Sequence, residues 1–349
     1  MDSRKLLQLT VLLLALVGII VVANKLSGPR QSAKDTKFFP TFTEANCASI
    51  LIAQGPDSVR LSKRGDVWME SNPTLSAQSA NALQSTPSAV ERKREYPADS
   101  ALAATALEKL GKMTRGELLS QNVEKQSLFE VDSARGTYVE AFDGKGVSLG
   151  AILIGKNGAD WSSAFVRAMG SNNVYSVGGN VKSSFFADRK RWRNKLVMKF
   201  DESLAEKIVL AKQGGTTISL EKKSDTTVPA SWRLVGSDSG TVLTDKVNEI
   251  LSAASNLHAL DYEEQALSDS AMGFAAPELV LNISLKGGSM RRLIVGRKKE
   301  TSSNQFWVRT NDKPYTFLVE DFTIQKFDKN VNGLKGIEEK TSPAKPKRP

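Results

Sequence analysis

Few residues in this chain could do chemistry. His258 is the only histidine and Cys47 the only cysteine, so a Ser-His-Asp or Cys-His relay would have to pass through one imidazole. His258 falls at the edge of an apolar helical stripe, where a partly buried structural histidine is expected. A lone cysteine excludes an internal disulfide and a cysteine-rich metal site. Asp261, Glu263 and Glu264 form one short acidic run, read as a solvated face. Gly155-Lys156-Asn157-Gly158 lacks the spacing that aims backbone amides at a phosphate. No catalytic residue, metal ligand or cofactor is therefore expected, and the chain is read as a non-enzyme. Two charge features remain. The run Arg189, Lys190, Arg191, Trp192, Arg193, Asn194, Lys195 predicts either a linker with Trp192 packed at a domain boundary or a partner or lipid contact. Arg167 and Arg309 recur in equivalent contexts. They are read as solvent-facing strand positions or as a repeat-equivalent pair of ligand contacts.

The overall balance argues against nucleic acid. The formal charge of the 349 residues is +10, but the excess sits at the ends. Residues 1–37 carry six Lys/Arg against two Asp, and residues 333–349 carry five against two Glu. The 295 residues between are only +3, too little for a folded basic face.

Something must hold these residues in place. Leu6 to Asn24 is a run of 19 residues without charge, about the length of a hydrocarbon-spanning helix. Arg4 and Lys5 precede it, which predicts a cytoplasmic stub (1–5), a transmembrane helix (6–24) and an extracytoplasmic remainder. Cleavage after Ala23, releasing an exported protein, is the rival expectation.

The body repeats itself. Ser49–Gly55 leads through a turn into Ser58–Lys63 and then Trp68; Lys207–Gly214 leads into Thr217–Lys222 and then Trp232. Both read as β-hairpins with one buried face. A helix follows in each half. Asp99 can cap the apolar positions Leu102, Ala106, Leu107, Leu110 and Met113. Thr244 or Asp245 can cap Val247, Ile250, Leu251, Ala254 and Leu257. A third block matches most closely. Leu149–Gly155 precedes Phe165-Val166-Arg167 and Tyr175; Arg292–Gly296 precedes Trp307-Val308-Arg309 and Tyr315. The predicted fold is α+β: after the transmembrane helix and a polar spacer (25–37), two tandem repeats (38–200 and 201–332), each an antiparallel β-sheet with a packed helix. Residues 75–97 are expected to be a flexible insertion and 333–349 a disordered basic tail.

The order of these blocks, with Pro97-Ala98-Asp99 opening a helix, Val174-Tyr175-Ser176-Val177 and Trp192-Arg193-Asn194-Lys195, resembles the bacterial domain of unknown function 4340 family across residues 45–330. The second repeat has no second Trp-Arg-x-Lys. The resemblance implies a membrane-anchored accessory or scaffold protein of the inner membrane, beside ABC-2 type transporters or gliding-motility-like envelope complexes. It implies no catalytic activity, with sheet edges and repeat junctions as contact surfaces. Its expected partners are the membrane and envelope transport proteins. The alternative is an extracytoplasmic ligand- or glycan-binding module using a cleft between the repeats, with Trp161, Trp192 and Trp307 as candidate aromatics.

Overall fold

A computed structural model describes residues 36–73, 94–223, 231–236, 240–300 and 304–336. The chain divides into two compact units at Asn194/Lys195.

In the first unit, β1 (Ser49–Gln54), β2 (Asp57–Arg64), β3 (Val67–Ser71) and β4 (Glu95–Pro97) form a meander that ends at one sheet edge. Helix α1 (Ser100–Lys112) follows, then β5 (Glu117–Ser120), β6 (Thr137–Phe142), β7 (Ser148–Asn157), β8 (Ser163–Ala168) and β9 (Val174–Gly178), with a short helix α2 (Arg189–Trp192) after them. The nine strands pair in the order β4-β3-β2-β1-β6-β7-β8-β9-β5. β4 and β5 are therefore opposite edges, and α1, which joins them, has to cross a face of the sheet.

That crossing explains the pattern of burial. Successive side chains of a strand point to opposite faces. Ile50, Ile52, Val59, Leu61, Val139, Ile152, Ile154 and Val166 meet Ala103, Ala106, Leu107 and Leu110 of α1. Leu51, Ala53, Tyr138, Leu153 and Val174 point the other way, into a second core closed by Phe129 and Val131 of the β5–β6 connection. With both faces covered, β1 is buried at four consecutive positions. Asp99 caps α1, accepting from the N–H groups of Ala101 and Leu102 at 2.9 and 3.1 Å.

The second unit holds β10 (Leu196–Lys199), β11 (Ala205–Lys212), β12 (Ile218–Lys223), β13 (Ser231–Val235), β14 (Gly240–Thr241) and α3 (Thr244–Ser255). Next come β15 (Asn256–His258), β16 (Asp261–Tyr262), α4 (Asp269–Met272), β17 (Leu279–Leu285), β18 (Met290–Lys298), β19 (Gln305–Thr310) and β20 (Phe317–Glu320). Two short helices, α5 (Asp321–Ile324) and α6 (Val331–Lys335), follow. Its main sheet runs β14-β13-β12-β11-β17-β18-β19-β20-β16, and β10 pairs separately with β15. Strand for strand this is the order of the first sheet, again with a helix linking opposite edges. Leu243 stands at the N-cap of α3 with no side-chain cap bond, so neither Thr244 nor Asp245 caps it. The helix ends at Ser255; Leu257 and His258 belong to β15.

Two expectations are corrected here. Strand accounts for 42% and helix for 19% of the described residues, so these are predominantly β and not the α+β fold that the sequence patterning predicts. The longest helix among the described residues, α1, has 13 residues; it reaches about 20 Å, against a hydrocarbon core of about 30 Å. No helix among the described residues is long and apolar enough to cross a membrane, against the expected single-pass inner-membrane anchor. The expected span 6–24 and stub 1–5 lie outside the described residues, as do most of the spacer, the insertion and the tail.

Candidate functional site

Gly155 and Gly296, expected to end their strands, lie inside β7 and β18 and share a geometric reason. A Cβ on Gly155 would lie 2.1 Å from the Phe129 carbonyl oxygen, and one on Gly296 would lie 2.1 Å from that of Met272. In each unit the segment before β6 or β17 lies directly on the strand, and only glycine lets it approach. The paired arginines fasten the same segments. Arg167 donates from Nε to the Val131 carbonyl at 2.9 Å and from a terminal nitrogen to the Ser171 carbonyl at 3.0 Å. Arg309 donates to Thr316 Oγ1 at 2.9 Å and to Asp269 Oδ1 at 2.7 Å, and lies 4.2 Å over the Phe274 ring. Both are half-buried, and burial lowers the Arg167 pKa. They bind the protein's own chain rather than projecting into solvent.

Register refines the repeat. Val166 pairs with Tyr175, and Val308 pairs with Phe317. The counterpart of Tyr175 is thus Phe317, not Tyr315. On the other wing, Lys63 faces Trp68 and Leu61 faces Glu70, while Lys222 faces Trp232 and Leu220 faces Leu234. The buried Leu234 therefore occupies the position that Glu70 takes in the first unit.

Glu70 explains the Trp-Arg-x-Lys motif. Its carboxylate is fully buried and accepts from Arg193 Nε at 2.7 Å, Arg193 being fully buried as well. Arg189 approaches it at 3.5 Å, and Arg193 lies 4.6 Å over the Tyr96 ring. Trp192 donates from Nε1 to the Phe186 carbonyl at 2.8 Å and stacks on the Phe186 ring at 4.4 Å. Arg191 covers the other side of that ring at 3.9 Å. Of the basic run, Trp192 and Arg193 are interior, Arg189 leans inward, and Lys190 and Arg191 are exposed. Lys195 opens the second unit, where its carbonyl accepts from Ala259 N–H. The second unit, with Leu234 in place of the carboxylate, has no use for a second such arginine.

The remaining sequence candidates scatter. His258 is exposed on β15, not half-buried on a helix. Glu263, read as solvated, is interior: it accepts from Lys299 Nζ at 2.7 Å and Trp307 Nε1 at 2.8 Å. Burial would raise its pKa, but the bonds from Lys299, Trp307 and the Gln265 N–H outweigh this and lower it. Cys47 lies in the helix-side core, and burial pushes its thiol to about 11. A shallow cavity of about 150 Å³ in the second unit is lined by Lys212, Glu278, Phe306, Asp321, Ile324 and Asp328, among others. Two of its carboxylates are already paired, Asp328 with Lys212 and Asp321 with Lys298. Among the described residues, no group of three or more His, Cys, Asp or Glu could hold a metal ion.

Two surface features of the first unit stand out, of which sequence reasoning missed the first and named the second only as one of three candidate aromatics. Among the described residues, edge strand β5 is bonded on one side only, to β9, while just before it residues 36–38 pair with residues 113–115. Leu118 and Leu119 on it are exposed, as are Val123 and Leu128 just beyond. The equivalent β16 has two residues, with Tyr262 buried, and the segment after it buries Met272 against Trp307 and Leu318. The second feature is Trp161, the one exposed tryptophan of five.

A family model described as "Domain of unknown function (DUF4340)" matches residues 89–277, more than half of the chain. The chain belongs to this family. The DUF4340 match is a single span across the Asn194/Lys195 division, so the duplication rests on the shared sheet order and register and not on two separate matches. No curated protein matches the chain, and no solved structure does.

Proposed function

We propose that this DUF4340 protein is a non-catalytic accessory scaffold that holds another protein of an ABC-2 type or gliding-motility-like transport complex. The observation that carries this reading is β5. An edge strand presents unpaired backbone N–H and C=O groups to any extended segment laid beside it. Natural edges are usually blunted by charge, proline or cover; this one has a single charge, Glu117, at its start and then exposes Leu118 and Leu119. The duplicated counterpart hides its apolar residues under its own chain, which marks the first unit as the contact side. The transport association is drawn from the family resemblance. The marked charges support a scaffold role in a further way: Glu70, Arg193, Arg167 and Arg309 are all engaged in bonds that hold the fold.

The test is crosslinked affinity purification of the native protein from its own cells, read by mass spectrometry. Recovery of a transporter permease or its auxiliary subunit, lost with Leu118→Lys/Leu119→Asp, is expected. Recovery of this chain alone, at monomer mass, would refute the proposal.

A further inference from the structure

Trp161 stands out in three independent ways. It is 77% exposed, while the other four tryptophans are 9% or less. Its φ of 59° is left-handed, a conformation that a bulky residue rarely adopts. The turn that imposes this is heavily bonded. Asp160 accepts from Ser162 Oγ at 2.7 Å, Ser163 Oγ at 2.7 Å and Ser163 N–H at 3.1 Å. Trp161 N–H donates to the Gly158 carbonyl, and Gly158 N–H to the Ser163 carbonyl. The next turn is fastened alongside. Asn180, also left-handed at φ 54°, donates its N–H to the Ser162 carbonyl at 2.9 Å. Lys109 of α1 donates to the Gly179 carbonyl at 2.7 Å. A corner tied down this thoroughly keeps the indole off its own sheet, and strain of this kind gathers where a residue is held for use.

The surroundings select the ligand. A tryptophan that anchors a protein partner is ringed by apolar neighbours that exclude water. Here Asp160 and Ser162 flank it in the chain, and Gly179 and Asn180 form the turn bonded alongside. An exposed π-face on a turn whose adjacent residues carry a carboxylate and hydroxyls matches a sugar ring, whose C–H face is apolar and whose rim is hydroxyl. The negative π-face attracts the positively polarised C–H groups. The Asp160 carboxylate has about four acceptor sites and spends three on its own turn, which leaves capacity for a hydroxyl. We propose that the Trp161 corner of the first unit is a carbohydrate-binding site, with the indole stacking on a pyranose ring and Asp160 and Ser162 bonding its hydroxyls. This site is independent of the protein contact at β5.

The experiment is isothermal titration calorimetry of the full chain and its variants with chitotetraose, cellotetraose and maltotetraose, with tryptophan emission and acrylamide quenching of the parent chain as the second readout. At least one tetraose should give binding heat and, in the parent chain, shift the emission to the blue and protect the exposed indole. Trp161→Ala should abolish the binding heat, and Trp161→Phe should weaken binding roughly tenfold. Trp161→Gly relaxes the backbone, so it should keep or raise the melting temperature while losing the binding heat; this separates loss of the site from loss of the fold. Silence with all three sugars, or binding heat that survives in Trp161→Ala, would overturn the proposal. So would protection by phosphatidylglycerol vesicles and by no sugar, which would assign the corner to lipid.

Discussion

Replacing Glu70 by leucine, the residue its counterpart Leu234 already is, should strongly destabilise the first unit. Glu70 and Arg193 are both fully buried and 2.7 Å apart. At an effective dielectric of 20, two unit charges at that distance attract by about 6 kcal/mol. Removing both from water costs several kcal/mol per ion, so the intact pair is close to neutral for stability. Glu70→Leu leaves Arg193 buried with the attraction gone, and stranding one partner costs roughly 3–5 kcal/mol. For a unit of this size that lowers the melting temperature by about 10 °C. Glu70→Leu/Arg193→Met removes both charges and keeps a thioether against Tyr96. It should return to within about 1 kcal/mol of the parent, because Arg189, only partly buried, can turn to water. The assay is thermal and urea unfolding of the full chain, with hydrogen exchange on β3 assigning the transition to the first unit. A neutral Glu70→Leu, or a double variant no more stable than the single one, would refute the reasoning.

Three further outcomes follow from the same geometry. Gly155→Ala and Gly296→Ala each place a methyl against a backbone carbonyl; each should cost about 1–3 kcal/mol or more, measured by urea unfolding. Cys47, with its thiol at about 11, should be inert to Ellman's reagent at pH 8, where roughly one thiol in a thousand is ionised; it should react only as urea unfolds the chain. The Ser162 and Ser163 hydroxyls and the Ser163 N–H hold the Asp160 carboxyl down at about 2, below its ordinary value near 4. A depressed carboxylate contributes to stability above its unfolded pKa and loses that contribution as pH falls through the folded one. Acrylamide access to Trp161 should stay constant down to about pH 4 and change between about pH 4 and 2. A change centred near pH 6 would contradict this.

Much of the duplication was legible because it is written in local periods. The hairpins, the glycine-bearing strands β7 and β18 and the aromatic-Val-Arg blocks all fall at matching places in the two sheets. Their reasons were not legible, since each depends on a distant partner. Gly155 is glycine because of a carbonyl 26 residues earlier, and Arg193 is conspicuous because of a carboxylate 123 residues earlier. Aligning the copies by their tryptophans would have exposed the second: Trp68 is followed two residues on by Glu70, and Trp232 by Leu234, on the same face of the strand. Tyr315 was matched to Tyr175 by residue type, whereas pairing across the ladder selects Phe317. Glu263 looked solvated because its partners, Lys299 and Trp307, come from β-strand neighbourhoods far along the chain. Trp161 was one of three candidate aromatics, with Trp192 and Trp307, until burial set it apart.

The central claim, a protein contact along β5, is tested most directly by site-specific photocrosslinking. A photoreactive amino acid at Leu119, introduced into the full chain in its native host, should form a covalent adduct with one transport-complex protein. The same probe at Asp261 on the short counterpart edge β16 should not. Adducts at neither position, or equally at both, would contradict the account.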